Sequence, residues 1–443
     1  MRPMARAAQA AVFAAALAAG SFVPAHAAVV PATHEPVVSG RPGPSVPWAD
    51  ASATNRAAGL RVATYNVSLN RGAAGDLVSD LASPNNAQAQ AVAEVIQRTA
   101  PDVVLLNEFD YDEAHEAADS FRSNYLAAGQ NGQDGIDYPY VYAAPSNTGV
   151  PIGADLDKDG TVGGAADSFG FGDFAGQYGM VLYSKHPLVE EEIRTFQTFR
   201  WKDMPGNMMP RDYYGPLVSN VLRLSSKSHW DVPVRVGGET VHVLASHPTP
   251  PVFDGPERRN MRRNHDEIRF WADYISGGQS ASYIYDDDGA RGGLRPDERF
   301  VVLGDLNADP RRGESHPAAI SQLLSSPRVT DPRPESTGAA GHLPAGFGSF
   351  IDPLSPPAPA DRTGAAARLR TADFRGRGTG PLRVDYVLPS RNLTVSGSGV
   401  FWPAEGEDGA DLVAGDPPRT SDHRLVWVDV ELPSAAGGAT RGH

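Results

Sequence analysis

The chain has 443 residues, no cysteine and a formal net charge of -14. The missing cysteine excludes disulfide staples, zinc–thiolate sites and cysteine nucleophiles, and the acidic balance argues against a tight, nonspecific nucleic-acid binder, whose affinity rests on lysine and arginine neutralising phosphates. A hydrophobic content of 41% is enough to bury one large core or two ordinary ones, and the motifs interlock from end to end, which favours one.

Residues 1–27 carry Arg2 and Arg6, then an alanine-rich apolar stretch, then Ala25-His26-Ala27. That order is the pattern of a secretory signal peptide with a small-x-small cleavage site, so export is expected. Residues 28–59, rich in proline and alanine without periodicity, read as a flexible lead-in. No stretch reads as a membrane span, so a soluble secreted protein, extracellular or periplasmic, is expected. The main domain is placed at 60–432, with 433–443 as a flexible tail.

Residues 60–66 form the first core strand, ending at Asn66. Residues 85–99 place Ala87, Ala91, Val95 and Ile96 at helical spacing, and Pro101 stops the helix. The next strand, Val103 to Leu106, runs into Asn107-Glu108. This strand, helix, strand opening suits a layered α/β fold.

Residues 129–176 are polar and glycine-rich. Within them Asp155, Asp157 and Asp159, followed by Gly160, match the first half of an EF-hand loop, in which alternate carboxylates converge on a hard cation. The bidentate glutamate of the twelfth position is replaced by Ala166, and Asp167 is the substitute from one place on. A structural Ca²⁺ is the functional reading, an acidic solvated turn the bland one.

Strands are expected at 178–183 and 217–224. Residues 232–246 form a hairpin around Gly237-Gly238 that ends at His247. Residues 257–275 are the best helix, with Met261, His265, Ile268, Trp271 and Ile275 on one stripe. Its first half carries Arg258, Arg259, Arg262 and Arg263, read as solvated face charges or, less simply, as an anion-attracting cluster. Residues 277–298 and 325–380 are long Gly/Pro-rich insertions.

The apolar run Phe300 to Leu303 ends in Gly304-Asp305-Leu306-Asn307. Side chains two apart in an extended chain face the same way, which pairs the Asp305 carboxylate with the Asn307 amide. Asp385 sits inside a later apolar run, and Ser421-Asp422-His423 precedes another. Strands that each deliver Asn, Glu, Asp or His near an end should align those groups along one rim of a sheet.

In the order of these motifs the chain resembles the endonuclease/exonuclease/phosphatase superfamily, the deoxyribonuclease I-like fold, across residues 60–432. The resemblance implies an α/β four-layer sandwich, two mixed β-sheets packed face to face and flanked by helices. It implies that Asn66 and Glu108, with Asp422 as a further ligand, hold Mg²⁺, Mn²⁺ or Ca²⁺, since all are oxygen donors. It assigns Asp305 to the attacking water, Asn307 to a phosphoryl oxygen, the Asp385–His423 pair to the transition state, and His247 to the leaving group. Each residue also has a plain structural reading: an Asx turn for Asp305 and Asn307, a salt bridge to Arg383 for Asp385, a proline-bound turn for His247. The implied function is a metal-dependent phosphoesterase acting on a small molecule, a lipid headgroup or a nucleic acid, taken to be monomeric. A nuclease of the same superfamily is one alternative, a non-catalytic calcium-binding interaction protein the other. Asn107 stands where the family commonly has glutamine.

Overall fold

The computed structural model describes residues 59–341, 365–374 and 380–432. The expected signal peptide, nearly all of the lead-in, the 433–443 tail and parts of the second long insertion lie outside the described residues.

Thirteen strands are described. The first sheet contains β1 (Gly59–Leu69), β2 (Val103–Phe109), β3 (Tyr140–Tyr142), β4 (Met180–Ser184), β12 (Thr394–Val400) and β13 (Val426–Glu431), in the order β12-β13-β1-β2-β4-β3. The second contains β5 (Arg194–Thr195), β6 (His229–Val236), β7 (Glu239–Ser246), β8 (Arg299–Asp305) and β11 (Asp385–Pro389), in the order β11-β8-β7-β6-β5. A small ribbon pairs β9 (Ala372–Phe374) with β10 (Gly380–Leu382). Both large sheets are mixed: β1 runs parallel to β2 and antiparallel to β13, and β7 runs parallel to β8 and antiparallel to β6.

The layers follow from strand alternation. Val301 and Leu303 of β8 point into one core with Val62, Val104 and Val181 of the first sheet, whereas Phe300 and Val302 point into a second core with Ile268, Trp271 and Ile275. The first core therefore lies between the sheets. The second lies between the second sheet and its helix, and the architecture is the expected sandwich.

Five of the helices are α1 (Asp76–Leu81), α2 (Ala87–Thr99), α3 (Glu116–Phe121), α4 (Arg211–Val221) and α5 (Arg259–Ser276). Helix α2 is capped by the Asn86 side chain, which accepts from the Ala89 amide, and its Val92, Val95 and Ile96 cover the first sheet. Helix α5 covers the second sheet with the expected stripe, of which Met261, Ile268, Trp271 and Ile275 are buried.

Some expectations are corrected. Residues 217–221 belong to α4 rather than to a strand: Pro216 starts a new helical turn after Gly215 at φ 72, and Leu217 and Val221 are exposed. The arginines of α5 serve the scaffold. Arg263 is buried and donates to the carbonyls of Leu224, Phe169, Arg223 and Ser225, and Arg259 donates to Leu156 O and the Tyr213 hydroxyl. Residues 277–298 are irregular but packed, with Ala281, Ile284 and Leu294 buried.

Candidate active site

The rim is built by both sheets rather than one, a further departure from the sequence reading. Asn66, Asn107 and Glu108 come from β1 and β2; Asp305 and Asp385 are cross-strand partners at the end of β8 and β11. One hydrogen bond ties β1 to β2 and two join the sheets. Asn66 Nδ2 donates to Glu108 Oε1 at 2.9 Å and to Asp305 Oδ2 at 3.2 Å, and the Asp305 amide donates to Asn107 Oδ1 at 3.1 Å.

Local backbone irregularities aim these groups. Between Asn66/Asn107 and Leu69/Phe109 the register slips, and Ser68 and Glu108 take left-handed φ values of 49 and 59. Bulges of this kind redirect side chains, and non-glycine residues held at positive φ cluster at functional sites. Gly304 is required by close approach: a Cβ there would lie 1.9 Å from Ser246 O. The strand ends at Asp305, so Asn307 reaches the same rim through a left-handed turn (φ 53) rather than by alternation. Its amide N–H donates to Asp305 Oδ1 at 2.9 Å and its Nδ2 to Pro248 O at 3.1 Å.

His423 Nδ1 lies 3.0 Å from both carboxylate oxygens of Asp385, which fixes the ring and its tautomer. Its Nε2 is 3.6 Å from Asp305 Oδ2, and His247 Nε2 is 3.5 Å from the same oxygen. Burial alone lowers the His423 pKa, but the charges of Asp385 and Asp305 and the Asp385 hydrogen bond overcome it and raise the value to about 10. Asp305 is pushed up to about 7 by burial, which the His423 charge opposes. His247 moves the other way, well below the usual histidine range, through burial and the nearby charges of Lys227 and His423. Both of its ring nitrogens are buried without a hydrogen-bond partner among the described residues.

Asn66, Glu108, His247, Asp305, Asn307, Asp385 and His423 thus meet at one end of the double sheet. Asp422 stands beside them, its backbone carbonyl accepting from Asp373 and its charge helping to raise His423. Lys227, which the sequence reading missed, also faces this end. It is 5% exposed, its charge acts on His247, and it is itself influenced by Glu267, Glu108 and Asp305, with no carboxylate at ion-pair distance among the described residues. A lone lysine in a Ser-Lys-Ser run offers no motif, and only its position before β6 hinted at a rim.

The donor set suits a hard divalent cation. Glu108 is half-buried, has no cationic side chain at ion-pair distance, and keeps one carboxylate oxygen without a hydrogen-bond partner among the described residues. Asp305, Asp385 and His423 also offer ligand atoms within 4.8 Å of one another, but both Asp385 oxygens already face the imidazole. The chain beyond β2 lines a separate cleft of about 380 Å³, walled by Asp110, Tyr111, Asp112, Glu113 and Phe174, to which none of these site residues contributes.

Acids, amides and imidazoles gathered around a lysine at the end of a double sheet are equipment for phosphoric ester hydrolysis. Residues 63–423 match the sequence profile of the Endonuclease/Exonuclease/phosphatase family, and the chain belongs to that family. It is a metal-dependent phosphoric ester hydrolase. No curated protein matches it. Among solved structures it is similar to an endonuclease/exonuclease/phosphatase from Beutenbergia cavernae (19% identity over 85% of this chain and 72% of that one, TM-score 0.42). It is also similar to TDP2 from Caenorhabditis elegans (14%, 84% and 74%, 0.39) and to beta toxin from Staphylococcus aureus (16%, 83% and 99%, 0.39).

Proposed function

We propose that the protein is a secreted phosphoesterase that hydrolyses a small phosphoester or a phospholipid headgroup in preference to duplex DNA. The observation that carries this reading is the pair of cations buried at the rim. Lys227 and His423 are buried at the rim, enough to hold one phosphate, while the segment that follows Glu108 carries Asp112 and Glu113 into a cleft wall, charges that disfavour an extended polyanion running that way.

In this reading Glu108 and Asn66, with Asp422 nearby, hold the divalent ion. When bound it supplies Lewis-acid neutralisation of the phosphoryl charge. Asp305, raised towards neutrality, orients the attacking water and takes its proton as the new P–O bond forms. Asn307 keeps one amide hydrogen for a phosphoryl oxygen, its other being given to Pro248. His423, held as imidazolium by Asp385, and the Lys227 ammonium stabilise the charge of the transition state. His247, a neutral imidazole, donates a hydrogen bond towards the leaving oxygen as the second P–O bond breaks.

The test is competition between plasmid DNA and a panel of phosphomonoesters, phosphodiesters and phospholipids in one Mg²⁺ or Ca²⁺ buffer, with and without chelator. Chelator-sensitive turnover of small esters with slow nicking is expected; rapid nicking with negligible small-ester turnover reverses the ordering. An extracellular nuclease is the second reading, favoured by exposed Arg311 and Arg312 just beyond Asn307. Export is supported by the Ala25-His26-Ala27 pattern, and mass spectrometry of secreted protein showing an intact Met1 would contradict it.

The Asp155, Asp157 and Asp159 carboxylates lie within 4.8 Å of one another, in keeping with a structural Ca²⁺. Asp167 accepts the amides of Leu156 and Gly163 and so closes this loop.

A further inference from the structure

Among the described residues Arg370 stands out as a buried cation with an unused donor. Arg370 is 9% exposed, its Nη1 is buried without a hydrogen-bond partner, and no carboxylate lies at ion-pair distance among the described residues. Its neighbours are better served. Arg383 is paired with Asp331 at 2.9 and 2.5 Å, and Arg424 donates to the carbonyls of Ser421, His423 and Val413. A buried guanidinium nitrogen with an unused donor is costly, and the planar fork of an arginine matches a phosphate.

A second arginine is brought to the same place. Asp309, two residues beyond Asn307, accepts the amides of Arg311 and Arg312 through Oδ1, each at 2.8 Å, and that of Arg383 through Oδ2 at 2.8 Å. This clasps the 309–312 turn against the start of β11. From the other side the Thr371 amide donates to Leu382 O, and Thr371 Oγ1 accepts the amides of Val384 and Asp385, each at 3.0 Å. Arg370 precedes Thr371 directly, so both arginines border the segment that supports Asp385. Arg312 is exposed, and after burial its charge is the main influence lowering the Arg370 pKa. Asp309 spends its oxygens on three backbone amides and forms no ion pair with Arg370.

We infer that Arg370 and Arg312 form a second phosphate subsite on the β11 side of the catalytic rim, so that the substrate is a compact ester carrying two phosphates. The inference rests on the phosphoesterase reading for the first phosphate.

Two matched pairs separate the sources of that anion: inositol monophosphate against inositol bisphosphate, and thymidine nitrophenyl phosphate without and with a phosphate on its other hydroxyl. In at least one pair the second phosphate should raise kcat/KM by ~10–100-fold, the range of charge-assisted hydrogen bonds to a buried guanidinium. The inositol pair responding marks a polyol phosphate; the thymidine pair marks a nucleotide. Arg370→Gln and, separately, the exposed Arg312→Gln should each shrink that ratio at least several-fold, with Arg370→Lys recovering part of it. A ratio near one in both wild-type pairs overturns the subsite and leaves the proposed function standing, as does a ratio untouched by either substitution. If no phosphoester is turned over, the proposed function fails instead. Calorimetric binding of inositol bisphosphate then decides the subsite: a Kd weakened by Arg312→Gln supports it, and an unchanged Kd overturns it.

Discussion

Glu108→Gln separates the charge of the rim from its shape. The glutamine keeps an oxygen that accepts from Asn66 Nδ2, now 2.9 Å from Glu108 Oε1, and the left-handed backbone (φ 59) is no harder for glutamine than for glutamate. Folding stability should therefore move by less than ~0.5 kcal/mol. What disappears is the anionic oxygen proposed for the divalent ion and one of the three carboxylates that act on Lys227. Losing a Lewis-acid contact to the phosphoryl group costs about 3 kcal/mol in the transition state, or ~100-fold in kcat. The assay is an initial-rate titration with Mg²⁺ beside a urea unfolding curve. The half-saturating Mg²⁺ concentration should rise, the saturated rate should fall ~100-fold, and the unfolding midpoint should hold. Turnover near wild type at low Mg²⁺ refutes the ligand assignment; a collapsed midpoint assigns Glu108 to the scaffold.

Asp385→Asn leaves the backbone amide on Thr371 and an oxygen for His423 but removes the charge, so kcat should fall ~10²–10⁴-fold with little change in KM. Adding His423→Ala to that variant should cost little more, and full additivity would separate the two residues. His229 predicts a pH effect on stability. Burial pushes it down to about 4, against a hydrogen bond to Glu267 O. The unfolded chain then binds the extra proton, so stability is complete above about pH 6.5 and about 3 kcal/mol is lost as pH falls towards 4. Chemical denaturation of wild type and His229→Gln at several pH values checks this, the glutamine variant losing that part of the slope. Ca²⁺ should raise Tm, and Asp157→Ala should abolish the rise; a Tm indifferent to both removes the calcium loop.

Much of the rim was legible because local signals mark it. Asp305, Asp385 and His423 sit at breaks in apolar runs, and the Gly237-Gly238 hairpin delivers His247 in the expected register. What was not legible depends on pairing between distant segments. Nothing local tells that Asn66 donates to Asp305, 239 positions away, across two sheets. Lys227 carries no motif, and its meaning comes from the carboxylates that surround it. The 217–224 error was local: Leu and Val at mixed spacing suggested a strand, although Pro216 is a helix-start signal and Leu217 is 86% exposed. The α5 arginines were judged by charge, whereas the carbonyls they satisfy come from loops far away in sequence.

The Asn107–Asp305 and Asn66–Asp305 hydrogen bonds have a mechanical consequence. They bolt one sheet to the other at Asp305, so in the proposed role of that carboxylate the distance between the sheets sets its reach. Substitutions deep in the shared core, such as Val301→Ala or Val181→Ala, touch no reacting group yet alter that spacing. The turnover rate of this enzyme should act as a strain gauge for its interior, registering sub-ångström changes in sheet separation before any loss of folding is measurable.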